Sequence, residues 1–226
     1  QYRPGEPVTL LDVPGTQVHI TELGRTVCWL PVTDCTCSWT APEGSDRHAR
    51  GFRAVAVGED GRELAATAFD VAGHWSLAPR YGFLCDFGPT DTTDAVEGLT
   101  RLHLNVVQFY DWMYTHFQYF AGVEEFTDPL GRHTSHRVVR QRIEACRRRG
   151  IAPLAYGSLY GGERPIADAH PEWLLYDVDG RPYHLADLFY IQNIQRGCGW
   201  RDHILAEYEQ ACRRLGFAGI HIDQYG

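Results

Sequence analysis

G-F-A-G-I-H-I-D, residues 216–223, reads as a glycine stop, a short apolar approach and then a strand of alternating side chains. Successive side chains of a β-strand point to opposite faces. Gly219, His221 and Asp223 therefore share one face, and Ile220 and Ile222 share the other. Just upstream, Ile204, Leu205, Tyr208, Ala211, Cys212 and Leu215 recur at helical spacing over residues 200–215. Gly216 is the residue type that ends such a helix. The isoleucines are expected to pack on helices, turning His221 and Asp223 the other way. A helix feeding a strand of this kind is the building unit of a parallel sheet joined by helical crossovers.

The same unit repeats towards the N-terminus. Residues 151–157 read as a strand, preceded by a helix over 135–149 with Val138, Val139, Ile143 and Cys146 on one face and Gly150 behind it. Residues 105–112 and 80–87 read as two further strands, separated by a helical stretch that Thr90-Asp91 is expected to cap. Asp86, Asp111, Tyr156 and Asp223 then sit at the C-terminal ends of the four strands. In an α/β barrel that edge carries the active site. A doubly wound sheet would use the same edge, but no G-x-G-x-x-G follows the first strand, so the barrel is favoured and no cofactor is expected. A whole barrel has eight units in about 250 residues. Residues 79–226 supply four, the first half of an (α/β)8 TIM barrel. The facing of the second strand stays open, since an inward Asp111 leaves Gln108 outward by strict alternation.

Residues 1–78 have a different texture. Short runs such as 8–11, 17–20, 52–57 and 63–69 are punctuated by Pro14-Gly15, Gly24 and the turn Gly58-Glu59-Asp60-Gly61. They predict a small antiparallel β-sandwich acting as an accessory domain.

Composition narrows the function classes. A formal net charge of -8 argues against nucleic acid, whose binding depends on Lys and Arg neutralising phosphates. No apolar run approaches the roughly 18 residues that a membrane span needs. The aromatic share of 12%, with six Trp and twelve Tyr, suits a ligand that stacks on rings, such as a sugar, or a large core. Seven cysteines, an odd number without a paired framework, are expected to be free thiols. No metal is expected. Cys35-x-Cys37 is too closely spaced for a zinc site, and His133-x-x-His136 lacks an evident third ligand. Asp177-Val178-Asp179-Gly180 opens like a calcium loop but lacks the closing Glu, so it reads as a hairpin turn. The Arg-rich run over 137–149 reads as the solvated face of its helix.

Taken jointly, several segments resemble glycoside hydrolase family 66. They are Arg80-Tyr81-Gly82-Phe83-Leu84-Cys85-Asp86-Phe87, Val107-Gln108-Phe109-Tyr110-Asp111-Trp112-Met113-Tyr114, Asp128-Pro129-Leu130-Gly131-Arg132, Ala155-Tyr156-Gly157, His170-Pro171-Glu172-Trp173 and Gly219-Ile220-His221-Ile222-Asp223-Gln224. The family comprises endo-dextranases and cycloisomaltooligosaccharide glucanotransferases. The resemblance implies an immunoglobulin-like β-sandwich before the barrel, a retaining mechanism on α-1,6-glucan, and Asp223 as nucleophile. It also implies sugar contacts from Asp86, Tyr110, Asp111, His116, Tyr156 and His221. The acid/base Glu is expected beyond residue 226, so the chain by itself is expected to lack turnover. Dextranase-like hydrolysis is the leading expectation; cyclising transfer or a non-catalytic carbohydrate-binding remnant are the alternatives. A polymeric substrate implies secretion, although the stretch from Gln1 does not read as a signal peptide.

Overall fold

The computed structural model describes residues 1–43, 48–186 and 188–223. The chain divides into two units, Gln1–Arg80 and Tyr81–Gly226. Among the described residues no helix is long and apolar enough to cross a membrane.

The first unit is built of strands: β1 (Pro7–Leu10), β2 (Gln17–Glu22), β3 (Arg25–Pro31), β4 (Cys37–Thr40), β5 (Arg50–Val57) and β6 (Glu63–Val71). They form an antiparallel sheet in the order β3-β2-β5-β6 and a separate antiparallel pair, β1 with β4. Alternation explains the core. Val18 and Ile20 of β2 and Phe52, Ala54 and Ala56 of β5 meet Val8 of β1 and Cys37 of β4 in one apolar cluster. Gly58-Glu59-Asp60-Gly61 closes the β5–β6 hairpin as expected. The Gly58 N–H donates to the Arg62 carbonyl at 3.0 Å, and the Arg62 N–H donates to Asp60 Oδ1 at 3.1 Å.

The second unit alternates strands and helices: β7 (Tyr81–Leu84), α1 (Asp94–Arg101), β8 (Val106–Phe109), β9 (Glu125–Thr127), β10 (His133–Ser135), α2 (His136–Arg148), β11 (Ala152–Ser158), β12 (Gly161–Gly162), α3 (Arg164–Ala169), β13 (His184–Leu185), β14 (Phe189–Ile191), α4 (Gly199–Leu215) and β15 (Gly219–Asp223). Four of the strands form a parallel sheet in the order β15-β11-β8-β7. On one face, Val107 and Phe109 of β8 and Ala155 of β11 pack with Val139 and Ile143 of α2 and with Trp200 and Ile204 of α4. Gly216 ends α4 in the left-handed conformation at φ 83, donating its N–H to the Cys212 carbonyl at 2.9 Å. Two small antiparallel sheets, β9-β10 and β12-β14-β13, decorate the connections that follow β8 and β11.

Several expectations are corrected. β7 stops at Leu84 and β8 at Phe109, short of the predicted 87 and 112. In both cases the chain turns at an aspartate with positive φ, 62 for Asp86 and 49 for Asp111. Aspartate is one of the few non-glycine residues that tolerates this region. Leu84 pairs with Phe109 in register, so the two aspartates stand at equivalent positions, two residues past the end of neighbouring strands. Alternation is broken before Asp111, and Gln108 shares the face of Tyr81 and His221, accepting a hydrogen bond from the Tyr81 hydroxyl, which also meets His221.

Thr90-Asp91 does not cap α1, which starts after Thr93. Asp91 Oδ2 instead accepts the Gly88 N–H at 2.7 Å. Ile220 packs on the core as expected, but Ile222 is 45% exposed on β15, an edge strand of the described sheet. The Arg-rich helix face is solvated except at Arg142. That side chain is buried and donates to the carbonyls of Thr92 at 2.9 Å and Asp86 at 2.6 Å, holding the β7–α1 connection.

Candidate functional site

Neighbouring residues in parallel register face the same side, and β11 pairs Tyr156 with His221 and Ser158 with Asp223. The Tyr156 hydroxyl reaches along this face and donates to Asp223 Oδ2 at 3.2 Å. From β7 the Tyr81 hydroxyl donates to Gln108 Oε1 and lies 2.7 Å from His221 Nδ1.

Burial, and then the charge of Asp223, pushes the Tyr81 phenol up to about 12. Tyr156 is raised by burial, then by Asp223 and Asp111; Tyr110 is raised by burial, then by Asp111 and Asp223. The rings of Tyr110 and Tyr156 are 4.8 Å apart. All three phenols stay neutral donors at ordinary pH, and two of them feel both carboxylates.

Asp111 lies at the junction of a buried charge network. Arg132 Nη2 donates to Asp111 Oδ2 at 2.8 Å, and His116 Nε2 is 3.6 Å from Asp111 Oδ1. Arg132 is itself gripped by Asp128, through Nε at 2.7 Å and Nη2 at 2.5 Å. On the far side of the ring, His116 Nδ1 is 2.8 Å from Glu163 Oε1. Burial opposes charge on this imidazole, but hydrogen bonds and charge from Asp111 and Glu163 outweigh it and raise His116 to about 9. His116 is thus an imidazolium at neutral pH. Arg132 is likewise raised, its burial outweighed by Asp128 and Asp111.

The structure joins Asp111 to His116 and Asp223 to Tyr156, sets the Tyr110 ring on Tyr156, and ties His221 to Tyr81. Asp86 stands apart. It is exposed, with Oδ2 accepting the Cys85 thiol at 3.3 Å, while its carbonyl is used by Arg142. Sequence reasoning gave no role to Arg132, Asp128 or Glu163. A signal for the last was available in Gly161-Gly162-Glu163-Arg164-Pro165, where paired glycines let the backbone approach closely before a proline-started helix.

Other motifs are occupied structurally. Asp177 Oδ1 accepts the N–H groups of Asp179 at 2.8 Å and Arg181 at 2.9 Å, fixing a turn. His133 is exposed beside Glu125, whereas His136 is buried among the rings of Trp112, Phe120 and Phe126, and burial lowers it to about 4. Among the described residues no three His, Cys, Asp or Glu side chains are arranged to hold a metal, and all seven cysteines are free. A groove of about 420 Å³ beside the start of α4, lined by Glu172, Trp173, Arg196 and Cys198, contains none of the strand-end residues.

Comparison with known proteins matches the chain to a family. Residues 15–226 match the model of glycosyl hydrolase family 66. Two curated relatives, both cycloisomaltooligosaccharide glucanotransferases of Niallia circulans, are 29% and 28% identical over 86% of this chain. The chain spans only 21% and 22% of their lengths. A solved cycloisomaltooligosaccharide glucanotransferase of Paenibacillus sp., complexed with cycloisomaltoheptaose, shares the fold with a TM-score of 0.77 at 23% identity. That likeness covers 100% of this chain and 37% of the other. The chain belongs to glycosyl hydrolase family 66.

Proposed function

We propose that this chain is part of a retaining enzyme of α-1,6-glucan, with Asp223 as the nucleophile. On this reading residues 81–226 are the first four strands and crossovers of an (α/β)8 barrel, and the first unit is an immunoglobulin-like β-sandwich. The observation that carries it is the placing of Asp223 at the C-terminal end of β15, accepting a hydrogen bond from Tyr156 within reach of the Asp111 charge network.

A retaining glycosidase needs a carboxylate and a carboxylic acid roughly 5–5.5 Å apart on opposite sides of the scissile bond. Asp223 attacks the anomeric carbon while the acid protonates the departing glycosidic oxygen, leaving a glycosyl-enzyme ester. Deprotonated by the same residue, water then completes hydrolysis, or a sugar hydroxyl completes transfer. The acid is expected from the remainder of a full-length enzyme, since this chain spans about a fifth of its relatives. Tyr156 steadies Asp223 as a neutral donor; Tyr110, Asp111, His116 and His221 line the sugar side; Asp86 stands at the rim. A polymeric substrate places such an enzyme outside the cell.

Dextranase-like hydrolysis and cyclising transfer share these steps and differ in the acceptor. The names of both curated relatives favour transfer as the second reading. The test is a full-length enzyme containing this chain, supplied with dextran. Asp223→Asn should abolish turnover and spare binding, and the wild-type products, linear or cyclic, decide the acceptor. Near-normal turnover in the variant removes Asp223 from the nucleophile role.

A further inference from the structure

Glu163 occupies the N-cap of α3, yet its side chain makes no capping hydrogen bond. Its carboxylate turns to His116, which lies 47 residues earlier in the chain. It accepts the His116 backbone N–H at 2.9 Å on Oε1 and 3.2 Å on Oε2, and faces ring Nδ1 at 2.8 Å. Gly161 and Gly162 deliver it there. A Cβ on Gly161 would come within 2.7 Å of Ser158 Oγ, and one on Gly162 within 2.8 Å of Ile166 Cγ2, so only a bare backbone passes. Both residues of the pair are under a tenth exposed, and a buried carboxylate is costly unless it is paired.

We infer that Glu163 is a positioning residue. It keeps the His116 ring doubly protonated, so that His116 and Arg132 together hold the two oxygens of Asp111 in place at the end of β8. The inference rests on the reading that the strand-end cluster contacts glucan. Nδ1 is hydrogen-bonded to Glu163 at 2.8 Å, and Nε2 stands at ion-pair distance, 3.6 Å, from Asp111. A carboxylate charge therefore faces each side of the ring and favours the imidazolium. The groups facing the ring are Asp111 from the connection after β8, Glu163 from the start of α3, and the rings of Tyr156 on β11 and Phe189 on β14. With His116 charged, the carboxylates of Asp111, Asp128 and Glu163 face two cations and the network carries one net negative charge. With His116 neutral it carries two, in a buried setting. The raised titration point of His116 agrees with this geometry.

The experiment follows the His116 ring by NMR from pH 5 to 10 in the whole 226-residue chain and measures isomaltoheptaose binding at pH 5.5 and 8. The wild-type ring should titrate near pH 9 and bind sugar alike at both pH values. Glu163→Gln preserves size and removes the charge. It should lower the ring midpoint by about two pH units, to near 7. Binding should weaken about tenfold at pH 8 and recover at pH 5.5, where the ring is charged again. An unchanged midpoint in the variant, or an equal loss of binding at both pH values, would overturn the inference. A wild-type ring that titrates near 6.5 would overturn it without any mutant. Wild-type chain that binds no isomaltoheptaose counts against the glucan reading, and the ring midpoints still decide what Glu163 does.

Discussion

In the first unit charge stays near water: Arg50 pairs with Glu22, and Arg53 with Glu63, through side chains that are 26–60% exposed. In the second unit Asp111, His116, Asp128, Arg142 and Glu163 are all under a tenth exposed, and every buried polar side chain among the described residues belongs to this unit. Exposed ion pairs add little stability and cost little. Buried ones cost several kcal/mol of desolvation per ion, and apolar residues of similar volume often serve folding as well or better. A fold has no need to gather such groups at the ends of parallel strands. Their concentration there, and their absence from the antiparallel sheet, is the contrast on which the proposed site rests.

Four tests would break or sharpen that contrast. Asp223→Asn should lower turnover of a full-length enzyme on the order of 10⁴-fold or more, while Arg53→Met leaves the rate unchanged, both read as initial rates on dextran. Arg132→Met should destabilise the second unit by about 3 kcal/mol in denaturant unfolding, because it removes the guanidinium that two buried carboxylates share. Little change there would mean that the network is no more demanding than the surface pairs of the first unit.

The pH dependence should also divide the units. The folded pKa of His116, about 9, lies above its ordinary 6.5, so its contribution is complete below about 6.5 and is lost as pH rises through 9. For His136 the folded value, about 4, lies below 6.5, so its contribution is complete above about 6.5 and is lost as pH falls through 4. These two imidazoles should therefore make the second unit most stable near pH 6.5, with melting temperature falling on both sides in calorimetry. No buried histidine lies in the first unit, where His19, His48 and His74 keep solvent access. A second-unit melting temperature that is flat from pH 5 to 9 would sink the buried-imidazolium picture. The smallest effect is expected from Tyr156→Phe, which removes one hydrogen bond to Asp223 and should slow a full-length enzyme about tenfold. No change in rate would show that Asp223 is positioned by its strand alone.

Much of the parallel sheet was legible because periodicity and punctuation agreed. α4 carries its apolar residues at helical spacing and ends at Gly216, and β15 runs over Gly219–Asp223 as the alternation requires. The ends of β7 and β8 were misread because the runs stay apolar or aromatic past Leu84 and Phe109, while the turn is made by aspartates in a conformation that periodicity does not encode. The buried Arg142 shows the same limit: its residue type suited a solvated face, and its neighbours in space reversed the outcome.

By itself the sequence determined the alternation of strand and helix, the change of texture near residue 80, and Asp223 on the polar face of its strand. These depend on residues close together in the chain, where side-chain period and turn chemistry act directly. Only the tertiary structure decided that Glu163 pairs with His116 and that Arg132 is shared between Asp111 and Asp128. Those contacts bring together separate connections of the sheet, and whether a carboxylate is buried, paired or solvated depends on what folds over it.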